Sequence, residues 1–254
     1  MKNYIKRKIY NFSPIKIQGR TSCFGTRVSK TINKFYYFNN QKYRIDNFLE
    51  SFKRGKSCLS CQKELKIFFK EDSLFDIIQK QKDLNILNRN LVRPDIILIE
   101  SYSDLTDMLF KHISGSIFLC HITDFNPSVW KLITEENVFG NKQFINQGLL
   151  NIDNFDLLLE NFITELNKIY KINVPIVYLH TPTKFEKRKK ILNRNKAFLE
   201  ITKKVANNNK SFFSVEIPES EVFKLSENSL TYHFSDRTVN YAASSIKKII
   251  YEFN

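Results

Sequence analysis

Asp95-Ile96-Ile97-Leu98-Ile99-Glu100, the run DIILIE introduced by Pro94, is the stretch on which the fold turns. It is too continuously apolar for a solvent-facing edge and reads as a central strand of a parallel sheet, covered on both faces. Working outward, apolar runs ending in turn residues alternate with segments of helical period. That alternation is the pattern of a parallel sheet with crossover helices. Towards the N-terminus it predicts a strand over Ile15–Gly19 leading to Ser22, a helix over Thr26–Asn33 through Val28 and Ile32, and a short strand over Phe35–Phe38. Towards the C-terminus it predicts a strand over Ile117–Ile122 and an amphipathic helix over Asn154–Tyr170. That helix carries Leu157, Leu158, Phe162, Leu166 and Ile169 along one side. A strand over Val174–Leu179, a helix over Lys184–Asn207 and a strand over Phe212–Ile217 follow. A final helix starts near Ser235 as N-cap and buries Val239, Ala242, Ile246, Ile249 and Phe253.

The fold class expected is therefore α/β, a three-layer α/β/α sandwich with a mostly parallel, flavodoxin-like central sheet. At 254 residues the chain suits one domain, 1–254, with a sizeable core. Two stretches break the alternation. Residues 41–92 are polar and less regular, with helices expected around Ile45–Phe52 and Ser73–Leu84, and would cap the sheet or cover one edge. Residues 124–150, which hold the only tryptophan, Trp130, read as an irregular excursion.

The hydrophobic share of 42% and charged share of 26% are those of a globular protein, and no window offers the roughly 18 uninterrupted apolar residues of a membrane helix. The N-terminus is basic at Lys6, Arg7 and Lys8, but no apolar signal-peptide core develops, so the bacterial cytoplasm is the expected location. A net charge of +14 suits a polyanionic partner: an acidic glycan, nucleic acid or an anionic membrane surface at the inner membrane. Part of that charge reflects the Lys- and Asn-rich bias of an AT-rich genome. The densest basic run, Lys184–Arg194, has helical spacing around Phe185, Ile191 and Leu192, as an exposed amphipathic face does. No recognised motif accompanies the charge, so nucleic acid is the least favoured partner. Cys58 and Cys61 form a C-x-x-C, but no second pair and no nearby histidine completes a zinc site; no metal is expected.

In an open α/β sheet the ligand crevice lies beyond the C-terminal ends of the strands. Three segments stand out for their reactive groups: Thr21-Ser22-Cys23-Phe24-Gly25 after the first strand, Ser101-Tyr102-Ser103-Asp104 after the central one, and Tyr232-His233-Phe234-Ser235-Asp236 before the last helix. Ser22 stands where strand turns into helix, so its hydroxyl is exposed near helix-start N–H groups able to hold an oxyanion. Gly25 allows close passage of the backbone, and Cys23 and Phe24 are expected to pack beneath. A serine before a helix is more often an N-cap than a nucleophile. His233, ahead of the last helix, is the base that would change that balance.

The run TSCFGTRVS resembles the opening motif of GSCFA-type proteins, whose serine stands at the nucleophile position of the SGNH hydrolase and acyltransferase superfamily. DIILIESYSD is similar to that superfamily's central strand and Gly-x-Asn-Asp block. VPIVYLHTPT with its following basic helix looks like the penultimate unit, and YHFSDRTVNYAASSI like the closing block with its catalytic His. The resemblance implies Ser22 as nucleophile, His233 as base, and Ser103 with Gly25 at the oxyanion and substrate position. The chain departs from the pattern at Leu230, where the family has the Asp that orients the His; Glu227 is the acid that could replace it. Asp104 and Asp236 read as helix-start residues. The implied function is serine-dependent O-acetylation of a bacterial surface polysaccharide, such as a capsule, or its glycolipid-linked precursor. Acetyl-CoA would be co-substrate, with no resident cofactor. A carbohydrate esterase of the same fold and an inactive glycan-binding module are the alternatives.

Overall fold

The computed structural model describes residues 15–33, 37–39, 44–46, 49, 94–112, 117–121, 144–170 and 174–253. The Cys58/Cys61 pair, Trp130, the helix over Ser73–Leu84, most of 41–92 and residues 122–143 lie outside the described residues. Five strands form the main sheet: β1 (Ile17–Arg20), β2 (Tyr37–Asn39), β3 (Ile96–Glu100), β7 (Ile176–Leu179) and β8 (Phe212–Val215). Their order is β2-β1-β3-β7-β8 and all four pairings are parallel, so DIILIE is the middle strand. The order reverses between β1 and β3. A ligand crevice is expected at this switch point, beyond the strand ends.

Alternating side chains along the strands feed two cores. Ile97, Ile99, Ile176, Tyr178 and Phe212 pack with α3 (Phe155–Tyr170) and α4 (Lys189–Asn208). Ile17, Ile96, Leu98, Val177, Leu179 and Val215 pack with α1 (Cys23–Ile32) and α5 (Asp236–Phe253). Helices therefore flank both faces of the sheet, and β3, β7 and β1 are wholly buried.

Several expectations are corrected. Helix α1 starts three residues earlier than its apolar spacing suggests, because the chain passes from the end of β1 at Arg20 through Thr21 straight to the N-cap Ser22. Helix α4 starts five residues later, because Glu186 ties down the preceding turn: it accepts from the backbone N–H of Lys187 and Arg188 and from both ends of the Arg188 guanidinium. On α3 the buried face is Phe155, Leu159, Phe162, Ile163 and Leu166, whereas Leu157 and Ile169 are exposed. The strand at Ile117–His121 (β5) lies outside the main sheet. It pairs antiparallel with β4 (Asp107–His112), which also pairs with β6 (Phe144–Leu149), so the end of the 124–150 excursion is regular. The helix after β3, α2 (Tyr102–Thr106), has only five residues. It is too short to carry the chain across the sheet, so the next strand begins a separate one. β6 escapes an alternation count because its pairing with β4 slips between Leu109 and Phe110, near Gly148 at φ 70°.

Candidate active site

Ser22 occupies the N-cap position of α1 with extended backbone, but its hydroxyl does not cap the helix. It donates instead to Glu100 Oε1 at 2.6 Å. Glu100 ends β3, is 2% exposed, and collects three more hydrogen bonds: the Thr181 hydroxyl to Oε1 (3.0 Å), and the backbone N–H groups of Ser22 (2.7 Å) and Gly25 (2.9 Å) to Oε2. In an ordinary capping box the N-cap side chain serves the third helical N–H and a downstream Glu serves the N-cap N–H. Here one carboxylate from a neighbouring strand does both, which leaves the Ser22 hydroxyl without a capping role. The carboxylate also lies at the positive end of the α1 dipole. Burial raises the Glu100 pKa above the usual carboxylate range; the hydrogen bonds from the Ser22 hydroxyl, Gly25, Thr181 and the Ser22 N–H oppose that rise.

Gly25 is dictated by this arrangement. A Cβ there would stand 2.6 Å from Thr21 Cβ and 2.8 Å from Glu100 Oε2. Phe24 packs inward, 2% exposed, but Cys23 is exposed rather than packed beneath the turn, because the first helical residue faces out of the sheet layer. Behind the site Asp104 is fully buried. It takes both ends of the Arg20 guanidinium (3.0 and 2.7 Å), the Tyr178 hydroxyl (2.8 Å) and the Ile45 N–H (2.8 Å). Such satisfaction of a buried ion pair makes Asp104 a structural anchor rather than a free acid. Asp236 opens α5 and pairs with Arg27 at 2.6 Å.

His233 comes to the same end of the molecule. Phe234 packs edge-on against Phe24 with ring centroids 5.0 Å apart, Arg27 donates to the Phe234 carbonyl, and Tyr232 lies 4.9 Å from the Tyr102 ring. The half-buried His233 ring stands perpendicular to that of Tyr232 at 5.0 Å. Among the described residues no hydrogen bond joins it to Ser22. The segment is a long loop closed by a bridge between Lys224 and Phe234; Glu227 and Leu230 lie exposed within it. Ser103 is buried in α2, and no described hydrogen bond links its hydroxyl to Ser22 or Glu100. The helix-start amides expected to await an oxyanion have an occupant, the Glu100 carboxylate, which burial obliges to find donors.

Glu100 and Thr181 are absent from the residues singled out by sequence. The signal for Glu100 lay in DIILIE itself: an acid closing a doubly buried strand must be neutralised or hydrogen-bonded, and it stands where the crevice should be. On the opposite sheet face His180 is 2% exposed, and its Nε2 is shared by the hydroxyls of Thr202 (2.8 Å) and Ser214 (3.2 Å). Burial, then the Lys203 charge, lowers its pKa to about 3, and Asn195 acts in the opposite direction. As pH falls below the unfolded value near 6.5 the unfolded chain takes up a proton that the folded chain refuses. Stability is therefore lost between about pH 6.5 and pH 3, at roughly 1.4 kcal/mol per unit. In urea unfolding, the stability difference between wild type and His180→Gln is expected to shrink by about 3 kcal/mol on going from neutral pH to about pH 4.5. A constant difference would contradict it.

Among the described residues no group of three or more His, Cys, Asp or Glu side chains is placed to hold a metal ion, and no helix is long and apolar enough to cross a membrane. No family model matches the chain, and no curated protein or solved structure matches it.

Proposed function

We propose that this chain transfers acyl groups through Ser22, most readily an acetyl group from acetyl-CoA to a hydroxyl of an acidic surface polysaccharide or its precursor. One observation carries the reading: at the switch point of the sheet, a serine hydroxyl released from helix capping donates 2.6 Å to a buried carboxylate. A proton acceptor within hydrogen-bond reach is the first requirement for activating a serine. The strand order and the helices on both faces support the finer assignment, a three-layer sandwich of SGNH type, which belongs to the same proposal, as does a cytoplasmic location near the inner membrane.

Ser22 Oγ attacks the thioester carbonyl carbon and passes its proton to Glu100 Oε1. Negative charge thereby moves from the carboxylate to the carbonyl oxygen, with both in the field of the α1 N-terminus. Collapse breaks the C–S bond, and the departing thiolate takes the proton from Glu100. The acceptor hydroxyl then attacks acetyl-Ser22, gives its proton to Glu100, and Ser22 recovers it on leaving. The resemblance gives this proton-accepting role to His233; the hydrogen bond supports Glu100, with His233 at the rim beside the incoming or departing group. The test is release of CoA thiol from acetyl-CoA by the purified protein. Release that depends on an acidic glycan and disappears in Ser22→Ala is expected. Glycan-independent release would favour the esterase reading. Equal turnover by Ser22→Ala would overturn the nucleophile and favour a non-catalytic binding module, which the occupation of the Ser22 and Gly25 amides by Glu100 also suits.

A further inference from the structure

We infer that the outer face of α4, together with the turn leading into it, is a docking track for the anionic polysaccharide acceptor. Residues 184–210 hold ten Lys and Arg against two Glu, so this one segment carries eight of the chain's fourteen net positive charges. The arginines are engaged within the fold: part-exposed Arg188 is paired with Glu186, and buried Arg194 donates to the carbonyls of Asp104 and Leu150. The lysines face outward. Lys187, Lys189, Lys190, Lys196, Lys204 and Lys210 are exposed and make no ion pair among the described residues; Lys203 is paired with Glu216. Unpaired, solvated cations gathered on one element create a local field that raises the concentration of a polyanion beside it.

The track leads to the site. Thr181, which donates to Glu100, lies three residues before Lys184, and α4 runs from that same end of the sheet. Lys189, Lys196 and Lys203 repeat every seven residues, about 10 Å of rise, and Lys189 to Lys204 spans about 22 Å. Cations this far apart suit a chain whose carboxylates are separated by whole sugar units better than a nucleic-acid strand with a phosphate every ~3.4 Å. Every fully exposed residue of α4 is Lys, Asn or Glu. The face therefore offers neither the aromatic platforms that single-stranded nucleic acid stacks on nor the apolar stripe that a helix inserts into a lipid surface. The acceptor's identity rests on the acyl-transfer reading, but binding does not require Ser22 to react.

The experiment measures binding of the full chain to hyaluronate and polygalacturonate, with a single-stranded oligonucleotide and phosphatidylglycerol vesicles in parallel. It compares a variant carrying Lys189→Gln, Lys190→Gln, Lys196→Gln and Lys204→Gln with a charge-matched control carrying Lys30→Gln, Lys168→Gln, Lys247→Gln and Lys248→Gln. Circular dichroism confirms that both fold. Salt-sensitive glycan binding weakened at least about tenfold in the α4 variant, and within about twofold of wild type in the control, is the expected result. Absent glycan binding, equal weakening in both variants, or tighter binding to the oligonucleotide or vesicles would overturn the track. Ser22→Ala, run alongside, should bind glycan as wild type does; a wild-type protein that binds glycan but releases no CoA thiol from acetyl-CoA would defeat the catalytic reading and leave the track standing.

Discussion

Glu100→Gln is expected to give a folded protein whose acyl transfer is slower by about 10²- to 10⁴-fold, the usual contribution of a positioned general base. The substitution is isosteric. Its amide oxygen can replace Oε2 as acceptor for the N–H groups of Ser22 and Gly25, while its NH₂ faces the hydroxyls of Ser22 and Thr181, which rotate to accept. What disappears is the acceptor for the Ser22 proton. In the proposed mechanism Ser22 and Glu100 act as one unit, so the double variant Ser22→Ala/Glu100→Gln should be no slower than Ser22→Ala alone, itself reduced by about 10⁴-fold or more. Steady-state rates alongside thermal unfolding separate lost chemistry from lost fold. Glu100→Gln retaining full turnover while His233→Ala loses it would return the base to the histidine.

Gly25→Ala is expected to cost about 1–3 kcal/mol or more in urea unfolding, and to depress activity with it. A methyl group there would meet Thr21 Cβ at 2.6 Å and Cγ2 at 2.7 Å. Thr21 is 3% exposed, and its Cβ is fixed to the backbone of the strand end, so nothing flexible can give way. The other neighbour, Glu100 Oε2, cannot retreat without leaving the N–H groups of Ser22 and Gly25 unpaired. A variant as stable and active as wild type would mean that the turn is looser than its contacts indicate.

The two central strands, β3 and β7, were legible because they are buried on both faces and therefore read as apolar runs. DIILIE and Ile176–Leu179 need no periodicity to be recognised. The antiparallel sheet was not, since β4 and β6 mix polar and apolar residues and rest on a slipped pairing rather than on strict alternation. On α3, Leu157 and Ile169 satisfy a helical pattern yet face solvent, because hydrophobicity alone does not say which of two adjacent stripes meets the sheet. At the site, Ser22 stood out by its position, and Phe234, next to His233, is held against α1 by its ring contact with Phe24. Glu100 was hidden by its company: an acid at the end of an apolar run reads as the strand's polar terminus, and only the folded contacts disclose four donors converging on it.

The two amides at the start of α1 are satisfied by a carboxylate 78 and 75 positions away along the chain. A helix capped by its own neighbours can begin alone; this one cannot complete its first turn until β3 has docked beside β1. Closing so long a loop is an entropic cost met late, when the sheet is already gathering. The serine turn therefore matures only with assembly of the central strand, and an isolated N-terminal fragment holds the turn's sequence without its geometry.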